Sequence, residues 1–307
     1  MHIKLTAADK TDVGKQREQN EDAVYKRIES SDQGDKALFI VSDGMGGYQA
    51  GEVASRLTVE TMSKALDSFF KPLPDQPTIR LNTELVRGKG DPYATVKLPT
   101  DTATDAQSAT NISLSGSQKT QKLTETVIAQ SIEVQLINAI QQANKEILKY
   151  GERKKSARGL GSTVTAALIA NDQAYIANVG DSRTYLLRNG QLRTVTRDHS
   201  LVARLVEAKQ IEPEEVYSHP QRSLIYRSLG AGHKTVEVDT FQETLQPDDI
   251  LLLCSDGLWE MVRQPELQRE LSAKSSPQKI CDALIELANA NGGEDNITAV
   301  VVHVSKL

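Results

Sequence analysis

Leu38-Phe39-Ile40-Val41-Ser42-Asp43-Gly44-Met45-Gly46-Gly47 is an apolar run that stops at an aspartate and opens into a glycine-rich loop. A run this short, with turn residues behind it, reads as a strand buried on both faces. A second run, Ile250-Leu251-Leu252-Leu253-Cys254, ends the same way at Ser255-Asp256-Gly257. A carboxylate at a strand end is held by the sheet, and the glycine after it lets carbonyls and phosphate oxygens approach where a Cβ would stand. Asn20-Glu21-Asp22 precedes the extended run Ala23-Val24-Tyr25, and Asp295-Asn296 stands at the entrance of a strand from Ile297 to Val304. A single Asp-Gly is usually a plain turn. Acidic stretches recurring far apart, each beside a strand or a glycine turn, are how a hard-metal site is distributed along a chain.

Around these runs the periodicity changes. Ala50, Val53, Ala54, Leu57, Thr61, Ala65 and Phe69 recur at three- and four-residue steps, which predicts a helix from Tyr48 to Phe70. Ile128, Ile132, Leu136, Ala139, Ile140, Ala143 and Ile147 predict another from about Glu125 to Tyr150, stopped by Gly151. Residues 71–122 between them are rich in Pro, Thr, Ser, Gln and Asp, with a strand-like fragment only at Tyr93 to Leu98. Such a stretch buries too little apolar area to offset its ordering entropy, and it reads as a partly disordered polar insertion or a docking arm. Ser162 to Ala170, Gln173 to Val179, Arg183 to Arg188 and Leu192 to Thr196 follow as strands, with Asn171-Asp172 and Asn189-Gly190 as hairpin turns. Leu201 to Gln210 reads as helix, Glu212 to Ser223 as irregular, Thr235 to Phe241 as extended, and Ser276-Pro277 as the capped start of a last helix that Gly292-Gly293 ends. The pattern is α+β with mostly antiparallel pairing, in one domain spanning 1–307.

Bulk composition excludes several classes. The net charge of −5, with 25% charged and 38% apolar residues, argues against a general nucleic-acid or anionic-membrane surface. Cys254 and Cys281 form no C-x-x-C pair and read as small buried hydrophobes. Met1-His2-Ile3-Lys4 lacks the apolar core of a signal peptide, and no apolar run approaches the roughly 18 to 20 residues that span a bilayer. A cytoplasmic monomer that engages neither nucleic acid nor membrane is expected.

Oxygen ligands favour Mg²⁺ or Mn²⁺ over zinc, and two such ions can clamp both oxygens of a phosphoryl transfer. The order Arg17-x-x-Asn20-Glu21-Asp22, Asp43-Gly44-Met45-Gly46-Gly47, Gly161-Ser162-Thr163, Asn178-Val179-Gly180-Asp181-Ser182-Arg183, Asp198-His199-Ser200, Ser255-Asp256-Gly257-Leu258-Trp259 and Asp295-Asn296 closely resembles the type 2C, metal-dependent Ser/Thr protein phosphatases, their bacterial branch above all. The resemblance runs from about Thr11 to Val304, residues 71–122 excepted. It implies a four-layer αββα sandwich, two mostly antiparallel sheets flanked by helix pairs, with a two-metal centre at one end.

On that resemblance Asp43 bridges two Mg²⁺ or Mn²⁺ ions, with the Gly44 carbonyl and Glu21 on one side and Asp256 and Asp295 on the other. Asp22 holds metal-bound water, Asp181 completes a third and weaker site with Asp256, and Arg17 grips the substrate phosphate. Water bridging the ions would then attack the phosphorus of phosphoserine or phosphothreonine on proteins. The implied partners are those phosphoproteins and a Ser/Thr kinase sharing them. Met45 stands where many eukaryotic members carry a histidine, so the resemblance leaves the leaving-group acid open, with a metal-bound water preferred. Residues 201–222 correspond to a flap beside the active site. The rival reading is a catalytically silent binding module, which usually lacks acidic ligands that this chain keeps. Plainer roles are expected elsewhere: Trp259 and Met261 in the core, Asp198-His199-Ser200 capping a helix, Arg183 paired with a carboxylate, and Glu260 peripheral.

Overall fold

The computed structural model describes residues 2–46, 50–71, 116–154, 159–232 and 234–307. Its contacts divide the chain into one unit of Met1–Phe70 with Ala129–Leu307 and a second of Lys71–Ile128. Gly47, Tyr48 and the fragment at Tyr93 to Leu98 lie outside the described residues.

The first unit contains two sheets in which every described pairing is antiparallel. The five-stranded sheet runs in the order β1 (Ile3–Asp12), β12 (Ile297–Lys306), β11 (Ile250–Cys254), β7 (Arg183–Arg188), β8 (Gln191–Thr194). The other runs β10 (Asp239–Thr244), β6 (Gln173–Val179), β5 (Val164–Ala170), β3 (Lys36–Met45), β4 (Gly161–Ser162), β9 (Leu229–Gly230), with β2 (Asp22–Glu29) also on β3.

Alternate residues of the two decisive runs serve different layers. Phe39 and Val41 meet Leu251, Leu253, Val300 and Val302 between the sheets. Leu38 and Ile40 face outward to a cluster that includes Met62 of α1 (Ala50–Ala65), Phe70 of α2 (Asp67–Phe70) and Leu136 and Ile140 of α3 (Gly116–Arg153). Leu252 and Cys254 face a third cluster, with Leu267 of α6 (Gln264–Leu271) and Cys281 and Leu284 of α7 (Pro277–Ala290). Strands covered on both sides read as continuous apolar runs, and the result is the αββα sandwich.

Asn189 (φ 51°) and Gly190 (φ 75°) form the tight turn that joins β7 to β8 with Arg188 opposite Gln191. The last helix starts at Pro277 with Ser276 as its N-cap, as its sequence predicts.

Several boundaries differ from the sequence reading. β1 was not expected, because Lys4, Thr6, Lys10 and Thr11 interrupt its apolar positions; pairing along its whole length with β12 makes it a strand. The stretch from Ser162 to Ala170 breaks at Thr163, so that both pieces can pair with β3. α3 begins at Gly116, not near Glu125, and passes through Gly151 to Arg153, with the Lys154 amide still donating to the Tyr150 carbonyl. The 201–210 helix stops at Glu207, before Lys209 turns left-handed (φ 54°). β10 starts at Asp239, not Thr235, because Asn144 and Gln141 of α3 take the backbone at Lys234 and Val236. Two helices unread in the sequence, α5 (Asp256–Trp259) and α6, follow β11. Trp259 is buried as expected, whereas Met261 is only half-buried. No helix among the described residues is long and apolar enough to cross a membrane.

Candidate metal centre

Antiparallel pairing of β2 with β3 sets Asp22 opposite Asp43. β3 extends past Asp43 to Met45, beyond the predicted end at Ser42, because Gly44 and Met45 pair with Ser162 and Gly161. Both residues in the Ser162-Thr163 step hold this edge: Ser162 Oγ donates to the Asp43 carbonyl at 2.7 Å, and the Asp43 amide donates to Thr163 Oγ1 at 3.1 Å. In the other sheet, pairing of β11 with β12 brings Asp256, the first residue of α5, to the same end as Asp295. Asp22 links the sheets, its Oδ2 accepting from Ser255 Oγ and Thr298 Oγ1, each at 2.7 Å.

Asn296 organises the loop that carries Arg17. Its Oδ1 accepts the Glu21 amide at 2.7 Å, and its Nδ2 donates to the Val13 and Gln19 carbonyls, both at 2.9 Å. Two glycines allow this closeness. A Cβ on Gly44 would lie 2.0 Å from the Gly51 carbonyl oxygen, and one on Gly257 2.1 Å from that of Asn296.

The electrostatics show that the acids at this end act on one another. Burial first, and then the charges of Asp256, Asp22, Asp181 and Asp295, hold Asp43 well above the usual carboxylate range. Burial also pushes Asp256 up to about 7, helped by Asp295 and Glu260 and eased by a hydrogen bond with Asp43. Asp22 is pushed up to about 8, again chiefly by burial, against the bonds from Thr298 and Ser255. Asp181, 5% exposed, is raised by burial, Asp256 and Asp198. Five of the predicted residues are thus brought together: Asp22, Asp43, Asp181, Asp256 and Asp295.

The remaining predicted residues sit around this cluster. Arg17, half-exposed, donates from NH2 to Asp295 Oδ2 at 2.6 Å. Burial works against its charge, but Asp295, Asp256 and Asp43 outweigh it and raise its pKa. The Glu21 carboxylate stands against Gly51 at the start of α1, and its pKa is raised mainly by burial, against the charge of Arg17 and the backbone of Glu52 and Gly51. It lies at the margin of the acidic group.

Among the described residues no three acidic, histidine or cysteine side chains already close around one point. Arg17 holds one oxygen of Asp295, and the Asn296 amide donates to the other at 2.8 Å. The donor set nevertheless suits a hard cation: it is all oxygen, and Asp22 Oδ1 and Asp256 Oδ1 are buried with no hydrogen-bond partner.

The plainer sequence readings fall outside this cluster. Arg183 forks onto Asp198, with Nε–Oδ1 at 3.0 Å and NH2–Oδ2 at 2.6 Å, and its guanidinium lies 3.5 Å from the Trp259 ring centroid. Ser200 caps α4 (Leu201–Glu207) by accepting from the Ala203 amide. Glu260 accepts from Arg222, which also reaches Glu294 at 2.8 Å. The sequence reading missed the work of Ser255 and Thr298 on Asp22 and of Trp259 Nε1, which donates to the Asp181 carbonyl at 2.9 Å. Ser255 and Trp259 had a visible signal in standing beside Asp256; Thr298 had none.

Known proteins resemble this chain in sequence and in fold. Residues 14–291 match the family model described as "Protein phosphatase 2C". The chain is 36% identical over 295 residues to the serine/threonine phosphatase stp of Listeria monocytogenes, covering 95% of this chain and 93% of that protein. A crystal structure of the Mycobacterium tuberculosis serine/threonine phosphatase PstP/Ppp superposes with a TM-score of 0.71 at 31% identity, covering 99% of this chain and 100% of that one. A structure of the PstP catalytic domain in complex with two manganese ions gives a TM-score of 0.71 at 29% identity, over 99% of each chain. With two antiparallel sheets meeting at an acidic edge and a family match across nearly its whole length, the chain belongs to the protein phosphatase 2C family.

Proposed function

We propose that this acidic edge hydrolyses phosphoserine and phosphothreonine esters of proteins. The observation that carries the reading is the set of converging carboxylates whose negative charge is left largely unmatched by the chain's own cations. Asp43, Asp256, Asp295 and the Gly44 carbonyl would hold a pair of Mg²⁺ or Mn²⁺ ions, with Glu21 alongside. When bound, such ions lower the pKa of water and neutralise charge developing on the phosphoryl oxygens. Asp22, fixed by Ser255 and Thr298, keeps Oδ1 free to accept from and orient water. Arg17 sits at the exposed rim, where its planar fork suits two phosphoryl oxygens once exchanged from Asp295. No side-chain nucleophile is required. His199 is buried and committed to hydrogen bonds, so the proton for the departing alkoxide is assigned to water.

Asp181 with Asp256 would form a third, weaker cation site. Residues 201–222 would border the active site as a flap, and 71–122 would be an insertion in a single phosphatase domain. The partners are phosphoproteins and the Ser/Thr kinase that modifies them. Phosphate release from a phosphothreonine peptide should require Mg²⁺ or Mn²⁺; release that persists in full after chelation refutes the reading.

A further inference from the structure

Arg17 rides on a loop, residues 13–19, whose two ends are fastened by one side chain. Asn296 Nδ2 donates to the Val13 carbonyl, where the loop leaves β1, and to the Gln19 carbonyl, where it returns toward β2, each at 2.9 Å. A side-chain amide has two N–H donors, so both are used on the loop, while Oδ1 accepts the Glu21 amide. Asn296 is 5% exposed. Lys15, Gln16, Arg17, Glu18 and Gln19 are all exposed, so apolar burial does not hold the loop shut, and the hydrogen bonds at its base must.

The turn that carries Asn296 also holds the loop from a second side. The Gly293 carbonyl accepts from the Lys15 amide at 2.8 Å and from the Gln16 amide at 3.3 Å. Gly14, left-handed at φ 79°, comes so close that a Cβ there would stand 2.2 Å from the Asp295 carbonyl oxygen. Asp12 Oδ1 accepts from the Gly14 amide at 2.9 Å and from Asn289 Nδ2 of α7 at 3.1 Å. Residues 293–296 therefore carry one carboxylate of the acidic edge and also fix the loop that bears the arginine at its rim. A long side chain at an exposed rim takes its aim from the backbone beneath it.

We propose that Asn296 is a positioning residue for phosphate binding: by drawing Val13 and Gln19 together it aims the Arg17 guanidinium at the substrate phosphoryl group, and phosphate affinity depends on that closure. The proposal rests on the reading of Arg17 as the group that grips phosphate.

The test uses two substitutions, each made alone and together with Arg17→Ala. Asn296→Ala removes the closure and the contact to Glu21. Asn296→Asp is nearly isosteric and keeps an acceptor for the Glu21 amide, but it turns oxygen toward the Val13 and Gln19 carbonyls. KM and kcat on a phosphothreonine peptide and inhibition by inorganic phosphate are measured at saturating Mn²⁺, whose binding is followed by calorimetry. Trypsin cleavage after Lys15 and Arg17 reads the loop in chelated protein, without turnover, and calorimetric melting reads the fold.

Two hydrogen bonds lost are worth roughly tenfold. Both Asn296 variants should raise KM and weaken phosphate inhibition by about that factor, with a smaller change in kcat. Trypsin should cut their loop faster, while they melt cooperatively and bind as many Mn²⁺ ions as the wild type. Beside Arg17→Ala the same substitutions should add less than about twofold, because the group they aim is gone. If they cost as much there as in the wild type, if the cleavage rate does not change, or if Mn²⁺ sites are lost in parallel, the positioning role is overturned. If Arg17→Ala alone leaves KM and phosphate inhibition unmoved, the phosphate role of Arg17 fails and the proposal with it. Should Asn296→Ala not fold, Asn296→Asp decides.

Discussion

The two ends of one strand treat buried carboxylates in opposite ways. Asp249, just before β11, accepts from Arg188 Nε at 2.9 Å, from Arg188 NH2 at 2.6 Å and from the Gln246 amide at 2.8 Å, so the chain supplies its counter-charge. Asp256, just after β11, meets more acids and keeps one buried oxygen without a partner. Burying a charge costs several kcal/mol unless it is paired. At the Asp249 end Arg188 meets that cost. At the Asp256 end it is left standing, which is tolerable only if protons or cations from solution meet it. One end therefore serves stability and the other function.

Neutralising the functional end should give the largest effect. Asp43→Asn or Asp256→Asn should lower kcat on the order of a hundredfold or more. The cation-free variant should melt no lower than the wild type, because a buried carboxyl that must either take up a proton or repel its neighbours has gone. Steady-state rates and calorimetric melting check both halves, and near-normal turnover would remove the residue from the ligand set.

Arg188→Ala should do the reverse. It strands Asp249 in a buried position and should cost about 2 kcal/mol, below the value for a fully buried pair because Arg188 is partly exposed. Mn²⁺ affinity and the kcat of the folded fraction should not move. A loss of cation binding at this distance would break the contrast between the ends.

The pH dependence sharpens it further. Asp22 and Asp256 are raised in the folded protein to about 8 and about 7, above their unfolded values near 4. In the folded state they hold protons that the unfolded chain releases, so their contribution is fully present below about pH 4. It is lost progressively as pH rises from about 4, and is gone once pH has passed 7 to 8. The melting temperature of chelated protein should fall across that window, and saturating Mn²⁺ should abolish or invert the fall, since metal binding displaces those protons. A flat profile in chelator would show that the carboxylates do not crowd as described.

The smallest effect expected is from Ser255→Ala. Asp22 keeps the Thr298 hydroxyl, so the loss should be about 1 kcal/mol of stability with a modest drop in kcat/KM. Thr298→Ala should resemble it, and the double variant should lose more than the sum.

Much of the site was legible because its acids follow local patterns. Asp43 and Asp256 each close a buried run and precede glycine, and Asp295 stands at a strand entrance. These patterns depend on near neighbours and survive without tertiary contacts. β1 was hidden for the opposite reason: half its face is polar, and only β12, at the far end of the chain, makes it a strand. Val236 lay in a stretch that looked extended until α3 claimed the backbone there and at Lys234.

Local chemistry in the sequence determined which residues are acidic, which runs are buried and where glycine admits close approach. Tertiary structure alone decided that Ser255 and Thr298 grip Asp22, that Arg17 reaches Asp295, and that His199 accepts the Gly180 amide. The first three contacts join residues more than two hundred positions apart, and no local spacing encodes them. They arise from the register of two sheets, in which a shift of one residue would turn Asp22 and Thr298 to the other face.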